Sequence, residues 1–237
     1  MEKKVVIDCF QEGTFRYRNE YAIVVVDVMR ATTTAATAVS MGRRVLPART
    51  TDEAFVIAST LEDPLLVGEL GGNMPYGFHL TNSPVQVAAR DDIKRPMILV
   101  SSSGTALLMS SAGSQGVFAA CFRNYSAMAR YLSEKFDKIA IVGAGTRGQF
   151  RKEDQMCCAW VAELLVKDGF RAETPQTREY IYRWSGQSAE EARVGESADY
   201  LRNSGQEDDL EFILSHVDDL DTVVGLVNYE LKALNQC

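Results

Sequence analysis

The sequence predicts an α/β protein, a three-layer α/β/α fold with a largely parallel or mixed central sheet. Two observations predict it. Short apolar runs alternate with longer helix-like stretches along most of the chain, the order found in sheets covered by helices on both faces. The run Ala22-Ile23-Val24-Val25-Val26 is also continuously apolar, as in a strand buried on both sides. The 237 residues suit one sizeable domain, taken as residues 1–237, and 46% of them are hydrophobic, enough for a packed core. No repeat, low-complexity tract or Pro/Gly/Ser-rich linker divides the chain.

Strands are expected at Lys4–Cys9, Ala22–Val28, Arg44–Pro47, Leu65–Gly68, Met97–Ser101, Gly116–Ala120 and Lys138–Val142. Helices are expected at Ala31–Met41, Thr51–Thr60, Ser83–Ala89, Thr105–Ser111, Asn124–Phe136 and Glu153–Lys167. Gly42 stops the first of these helices, and Ser83 with Pro84 starts the third as a cap followed by proline. From Pro175 the pattern turns mainly helical and polar, a segment that completes the domain or covers the site. There Glu207-Asp208-Asp209 reads as a solvated helix start. The apolar stretch Val223–Val227 packs either in the core or at an interface, the second of which would make a homodimer.

A net charge of −7 argues against broad nucleic-acid binding. An acidic protein that handles an anion must gather positive charge locally, from arginine, metal or helix ends. The charged start Met1-Glu2-Lys3-Lys4 leads into an apolar stretch broken by Asp8, so no signal peptide is expected, and no run has membrane-spanning length. The five cysteines form no C-x-x-C, which fits a reduced, cytoplasmic protein, with Cys157 and Cys158 as small core residues. Two histidines, His79 and His216, make a His-rich zinc site an unpromising reading.

The segment Asp27-Val28-Met29-Arg30-Ala31-Thr32-Thr33-Thr34 lies where a strand leaves the sheet and a helix begins, the edge at which open α/β sheets bind ligands. Asp27 can hold a hard cation, and Arg30 can fork onto a phosphate or sulfonate. Thr32 and Thr33 add hydroxyls beside helix-start amides. A threonine-capped helix with an Asp–Arg pair reads equally well there. Other strands end in Glu69, in Ser101-Ser102-Ser103-Gly104-Thr105, near Asn124, and in Gly143–Gly148 followed by Glu153-Asp154. If these strands are parallel and adjacent, their ends converge on one edge. Asp27, Glu69, Glu153 and Asp154 are then the metal or acid groups, with Asp27, Arg30, Glu153 and Asp154 as the catalytic candidates. Arg30 and Arg147 are the anion clamps, and Thr32, Thr33, Asn82, Ser102, Ser103, Gly104, Thr105 and Asn124 are the substrate-binding set. Carboxylates and hydroxyls without histidine suit Mg²⁺.

Each piece has a structural alternative. The serine loop reads as a capped turn, Glu153-Asp154 as an acidic first turn, Asn82 as a turn closer and His79 as a local hydrogen-bond partner. Gly143–Gly148 is formally G-x-G-x-x-G after a strand. However, Gln149-Phe150-Arg151-Lys152 intervene before the helix, which fits a dinucleotide loop poorly.

Taken in order, Val26-Asp27-Val28-Met29-Arg30-Ala31-Thr32-Thr33-Thr34, Gly68-Glu69, Gly77-Phe78, Asn82-Ser83-Pro84, Ser103-Gly104-Thr105, Asn124-Tyr125-Ser126-Ala127, Gly145 and Glu153-Asp154 resemble the 2-phosphosulfolactate phosphatase family of coenzyme M biosynthesis. The resemblance implies a three-layer α/β/α fold and Mg²⁺-dependent hydrolysis of a small anionic phosphate ester that also carries a sulfonate and a carboxylate. It places Asp27, Glu69, Glu153 and Asp154 around metal and phosphate, and Arg30 on the anion. The chain departs from the family at three places. Leu70 stands where the family has arginine after Gly-Glu, His79 and Thr81 replace an aspartate and a glycine, and Ser101-Ser102-Ser103 replaces Thr-Thr-Asn. Arg43, Arg147 and Arg151 are the candidates to replace the missing guanidinium. Two rival readings are a non-catalytic organophosphate-binding module and a nucleotide-binding enzyme built on Gly143–Gly148.

Overall fold

A computed structural model describes residues 2–145 and 148–235, and its strands join in a single ten-stranded sheet. In chain order the elements are β1 (Lys4–Cys9), α1 (Phe10–Tyr17), β2 (Ala22–Val26), α2 (Ala31–Ser40), β3 (Val45–Ala48), α3 (Thr51–Ala58), β4 (Leu65–Gly68), α4 (Pro84–Ala88), β5 (Met97–Val100), α5 (Gly104–Ser110), β6 (Val117–Ala120), α6 (Tyr125–Lys135) and β7 (Lys138–Gly143). There follow α7 (Lys152–Lys167), β8 (Arg171–Ala172), α8 (Pro175–Trp184), a 3₁₀ turn at Ala189–Arg193, α9 (Glu196–Asn203), α10 (Glu207–Ser215), β9 (Val224–Val227) and β10 (Glu230–Ala233).

The expected fold class holds, with helices on both faces of a mixed sheet. Successive side chains of β2 show why: Ala22, Val24 and Val26 enter the core shared with α6 and α7, while Ile23 and Val25 enter the opposite core with α2 and α5. Cys157 and Cys158 are buried in the first core, as expected. Helix α1 was not legible in sequence, because Phe10–Tyr17 is polar and contains Gly13, a poor helix former. That glycine lets α1 lie directly against Asp8 and Val142.

The strand order is β4-β5-β3-β10-β9-β6-β2-β7-β1-β8. Two parallel blocks, β4-β5-β3 and β6-β2-β7-β1-β8, are joined through the C-terminal hairpin β9–β10. The pairings β3–β10, β10–β9 and β9–β6 are all antiparallel, so the two blocks run in opposite senses. This corrects the premise that the polar strand ends belong to adjacent parallel strands. It also settles Val223–Val227, which forms the middle of the sheet: Val223 and Val224 are buried.

The ends of β2 and β5 meet by another route. Helices α2 and α5 follow them, lie on the same face of the sheet, and touch at their first turns. The approach is so close that a Cβ at Gly104 would overlap Asp27 Oδ2 and Ala31 Cβ. Glycine is required there by contact rather than by backbone angle. No helix among the described residues is long and apolar enough to cross a membrane.

Because Leu231 of β10 is buried where the two blocks join, Leu231→Ala is expected to cost about 2–5 kcal/mol in urea unfolding. A loss below about 0.5 kcal/mol would show that the hairpin is not an integral part of the sheet.

Candidate active site

The turn after β2 is folded by Thr32. Its Oγ1 donates to the Asp27 carbonyl at 2.8 Å and accepts the Asp27 N–H at 3.0 Å, while its own N–H donates to the same carbonyl at 2.9 Å. Thr33 Oγ1 donates to the Val28 carbonyl at 2.8 Å. Both hydroxyls shape the turn and neither lines the cavity described below, contrary to their expected role on substrate. The Asp27 carboxylate, by contrast, faces that cavity and accepts N–H groups from Ala31 and Gly104 at the first turns of α2 and α5.

Glu153 and Asp154, in the first turn of α7, are buried behind Asp27 rather than solvated. Asp154 Oδ1 accepts the Val28 N–H at 2.8 Å, and its carboxylate also accepts the Gly145 N–H. Ser197 donates to Glu153. Burial first, then the charges of Glu69 and Glu153, pushes the Asp27 carboxyl from an ordinary 3.8 up to about 7. Burial, then Glu153 and Asp27, drives Asp154 well above its ordinary value, and burial also raises Glu153. The three groups therefore sense one another, although they come from strands β2 and β7 and the segments after them.

Glu69, after β4, is held by three donors: Gly72 N–H at 2.7 Å, Ser102 N–H at 2.7 Å and Ser102 Oγ at 3.0 Å. This ties the β4 and β5 loops into one wall. Arg30 points into the same region and is 3% exposed. Its Nη1 donates to Asp209 Oδ2 at 2.6 Å and to Gln206 Oε1. Asp209 Oδ1 in turn accepts from Ser83 Oγ at 2.6 Å and from the Val85 N–H at 3.2 Å. Asp209 is thus no part of a solvated helix start. It is the buried counter-ion that orients Arg30, and sequence reasoning missed it. The available signal was its spacing: Asp209 and Ile213 stand one turn apart on the buried face of α10.

These residues enclose a cavity of about 420 Å³. Of the expected set, Asp27, Arg30, Glu69, Asn82, Ser102 and Ser103 line it. Asn82 is buried, and its Oδ1 has no protein hydrogen-bond partner among the described residues. The C-terminal third covers the cavity with Glu196, Ser197, Tyr200 and Leu201 of α9, and Arg151 completes it. Other expected residues are placed elsewhere. Asn124 bonds the Cys121 N–H and the Ala119 and Thr222 carbonyls, so its side chain braces the β6–α6 turn. Thr105 and Ser101 bond each other around the turn into α5, and Gly104 serves close packing. His79 Nδ1 accepts the Leu66 N–H at 2.9 Å, the local role expected of it. Arg147 lies outside the described residues.

The glycine loop offers no phosphate cradle at Gly143 or Gly145. Their open sides are filled by the rings of Phe150 and Phe10, and α7 begins only at Lys152. Among the described residues, no three His, Cys, Asp or Glu side chains close into a ready-made metal cage. The donor set still fits Mg²⁺, which takes one or two carboxylates and fills its remaining positions with water and phosphate. Among the described residues, the deeply buried Asp27 and Asp154 have backbone N–H groups as their hydrogen-bond donors.

Raised carboxyls destabilise the fold as pH rises. Between about pH 4 and 7 the folded Asp27 keeps a proton that the unfolded chain has released, so stability falls across that window and the full loss persists above it. In EDTA, the Tm is therefore expected to drop from pH 5 to pH 8, and Asp27→Asn should flatten the drop. An unchanged slope in the variant would remove Asp27 from the effect.

Comparison with known proteins identifies the family. A family model described as 2-phosphosulpholactate phosphatase matches residues 10–229. Three relatives bear the name probable 2-phosphosulfolactate phosphatase. That of Symbiobacterium thermophilum is 33% identical over 196 residues, covering 80% of this chain and 84% of its own. That of Thermotoga maritima is 32% identical over 206 residues, covering 86% and 88%. That of Deinococcus radiodurans is 36% identical over 191 residues, covering 74% and 80%. With a match across nearly all of the sheet and around the cavity, the chain belongs to the 2-phosphosulpholactate phosphatase family.

Proposed function

We propose that the protein is a Mg²⁺-dependent phosphatase that hydrolyses 2-phosphosulfolactate, or a similar small anionic phosphate ester, to the hydroxy acid and phosphate. The observation that carries this reading is the meeting of Asp27, Arg30 and Glu69 at one cavity, with Glu153 and Asp154 behind Asp27. Hydrolysis of a phosphate ester needs charge neutralised on the phosphoryl oxygens and a nucleophile held in line. One or two of Asp27, Glu69, Glu153 and Asp154 would hold the cation, which would supply positive charge to those oxygens when bound.

The chain's own residues supply the rest. Arg30 is aimed by Asp209, and Nη1 alone of its nitrogens is engaged by protein among the described residues. The remaining edge of its fork is left for a phosphate oxygen, a geometry lysine cannot copy. Asn82 presents an amide whose buried oxygen has no partner, as expected of a group that meets a ligand. Asp27 lines the cavity at the start of α2, and it takes the proton of the attacking water. Tyr200 and Leu201 of α9 wall one side of the site.

The test is phosphate release from 2-phosphosulfolactate. Turnover is expected with Mg²⁺ and not with EDTA, and Asp27→Asn should lower kcat by at least about 100-fold. Binding of the ester by the wild-type protein with no phosphate released would overturn the reading and leave an organophosphate-binding module. Asp209→Asn should lower kcat/KM by about tenfold or more, because Arg30 loses the charged partner that orients it.

A further inference from the structure

A phosphate ester that also carries a carboxylate or sulfonate asks for a second cation beside Arg30. The structure discriminates among the arginines available. Arg43 is wholly buried away from the cavity, held by Asp92 and by the carbonyls of Asp92 and Arg95. Arg30 is committed to Asp209. Arg151 lines the cavity, 12% exposed, and pairs with Glu196, whose side chain is 63% exposed. Its other side-chain bond runs to Gln149 Oε1 at 2.9 Å.

The position of Arg151 in the cavity wall follows from α9. Glu196 and Tyr200 are one turn apart on the same face of that helix. Glu196 holds Arg151, and the Tyr200 hydroxyl donates to the Gly72 carbonyl, two residues beyond Leu70. One helix face therefore joins Arg151 to the loop that follows β4. The two arginine pairs also differ in kind. The Arg30–Asp209 pair is shut away from water on both sides, whereas Glu196 is 63% exposed, so solvent screens its pair with Arg151.

We propose that Arg151 binds the second anionic group of the substrate, a carboxylate or sulfonate beside the phosphate ester, with Glu196 as its resting counter-ion. The proposal rests on the phosphatase reading above. It makes Arg151 a specificity residue, since a monoester that lacks a second anion gains little from it.

The experiment compares 2-phosphosulfolactate with phenyl phosphate in the wild type, Arg151→Gln and Glu196→Gln. In Arg151→Gln the ratio of kcat/KM for the two esters should fall about 10- to 100-fold, carried by KM, the effect of losing one charge-assisted contact. In Glu196→Gln the KM for 2-phosphosulfolactate should fall. Equal losses on both esters, or no loss on either, would overturn the proposal, and a raised KM in Glu196→Gln would overturn the counter-ion role. Should the wild type hydrolyse neither ester, the phosphatase reading fails and binding judges the subsite. Sulfolactate raising the Tm of the wild type but not of Arg151→Gln would uphold it, and the same response from both proteins would overturn it.

Discussion

Three carboxylates kept out of water beside one another, Asp27, Glu153 and Asp154, are the constraint around which the rest of the molecule is arranged. Each buried ion costs on the order of several kcal/mol unless partners replace its hydration. Here the partners are backbone N–H groups at the starts of α2 and α5, at Val28 and at Gly145, together with Ser197. Helix starts suit this work because their first N–H groups have no partner inside the helix and carry positive partial charge. What remains is mutual repulsion, and a divalent cation is the ligand that would relieve it. A site that is costly when empty is selective for what fills it.

The two halves of the cavity are organised differently. Around Arg30 the main contact is buried and braced: Asp209 holds the guanidinium, and Ser83 and the start of α4 hold Asp209. Such a group keeps its direction whether or not a ligand is present. Around Arg151 the contacts are wet and replaceable. A rigid half beside an adaptable half fits an ester whose phosphate must be aligned and whose remaining charges need only be recognised. The difference also separates chemistry from specificity along the chain, since the rigid half includes the turn after β2 and the adaptable half includes α9.

The C-terminal third serves both ends. Its hairpin β9–β10 joins two parallel blocks that run in opposite senses, and its helices α9 and α10 wall the cavity and aim Arg30. Sheet and site thus depend on the same segment of the chain. The glycine at position 104 is a second such dependency, because α2 and α5 can touch only where a side chain is missing.

The sequence by itself determined the fold class and the identity of most polar groups in the candidate site. Continuous apolar runs, such as that of β2, can be stable only between two layers, and polar residues that follow such runs must lie at a sheet edge. Both are local properties, written in a few adjacent residues. Only the tertiary structure decided the rest. The strand order and the reversed sense of the β4-β5-β3 block depend on pairing with residues near the end of the chain. Thr32, Thr33, Thr105 and Asn124 have the composition of ligand-binding groups, but their bonds turn inward to neighbouring backbone, a competition between partners that composition does not reveal. Asp209 shows the converse. It looks like a solvated acid until a guanidinium 179 residues away reaches it, because charge pairing is set by distance in space and not along the chain.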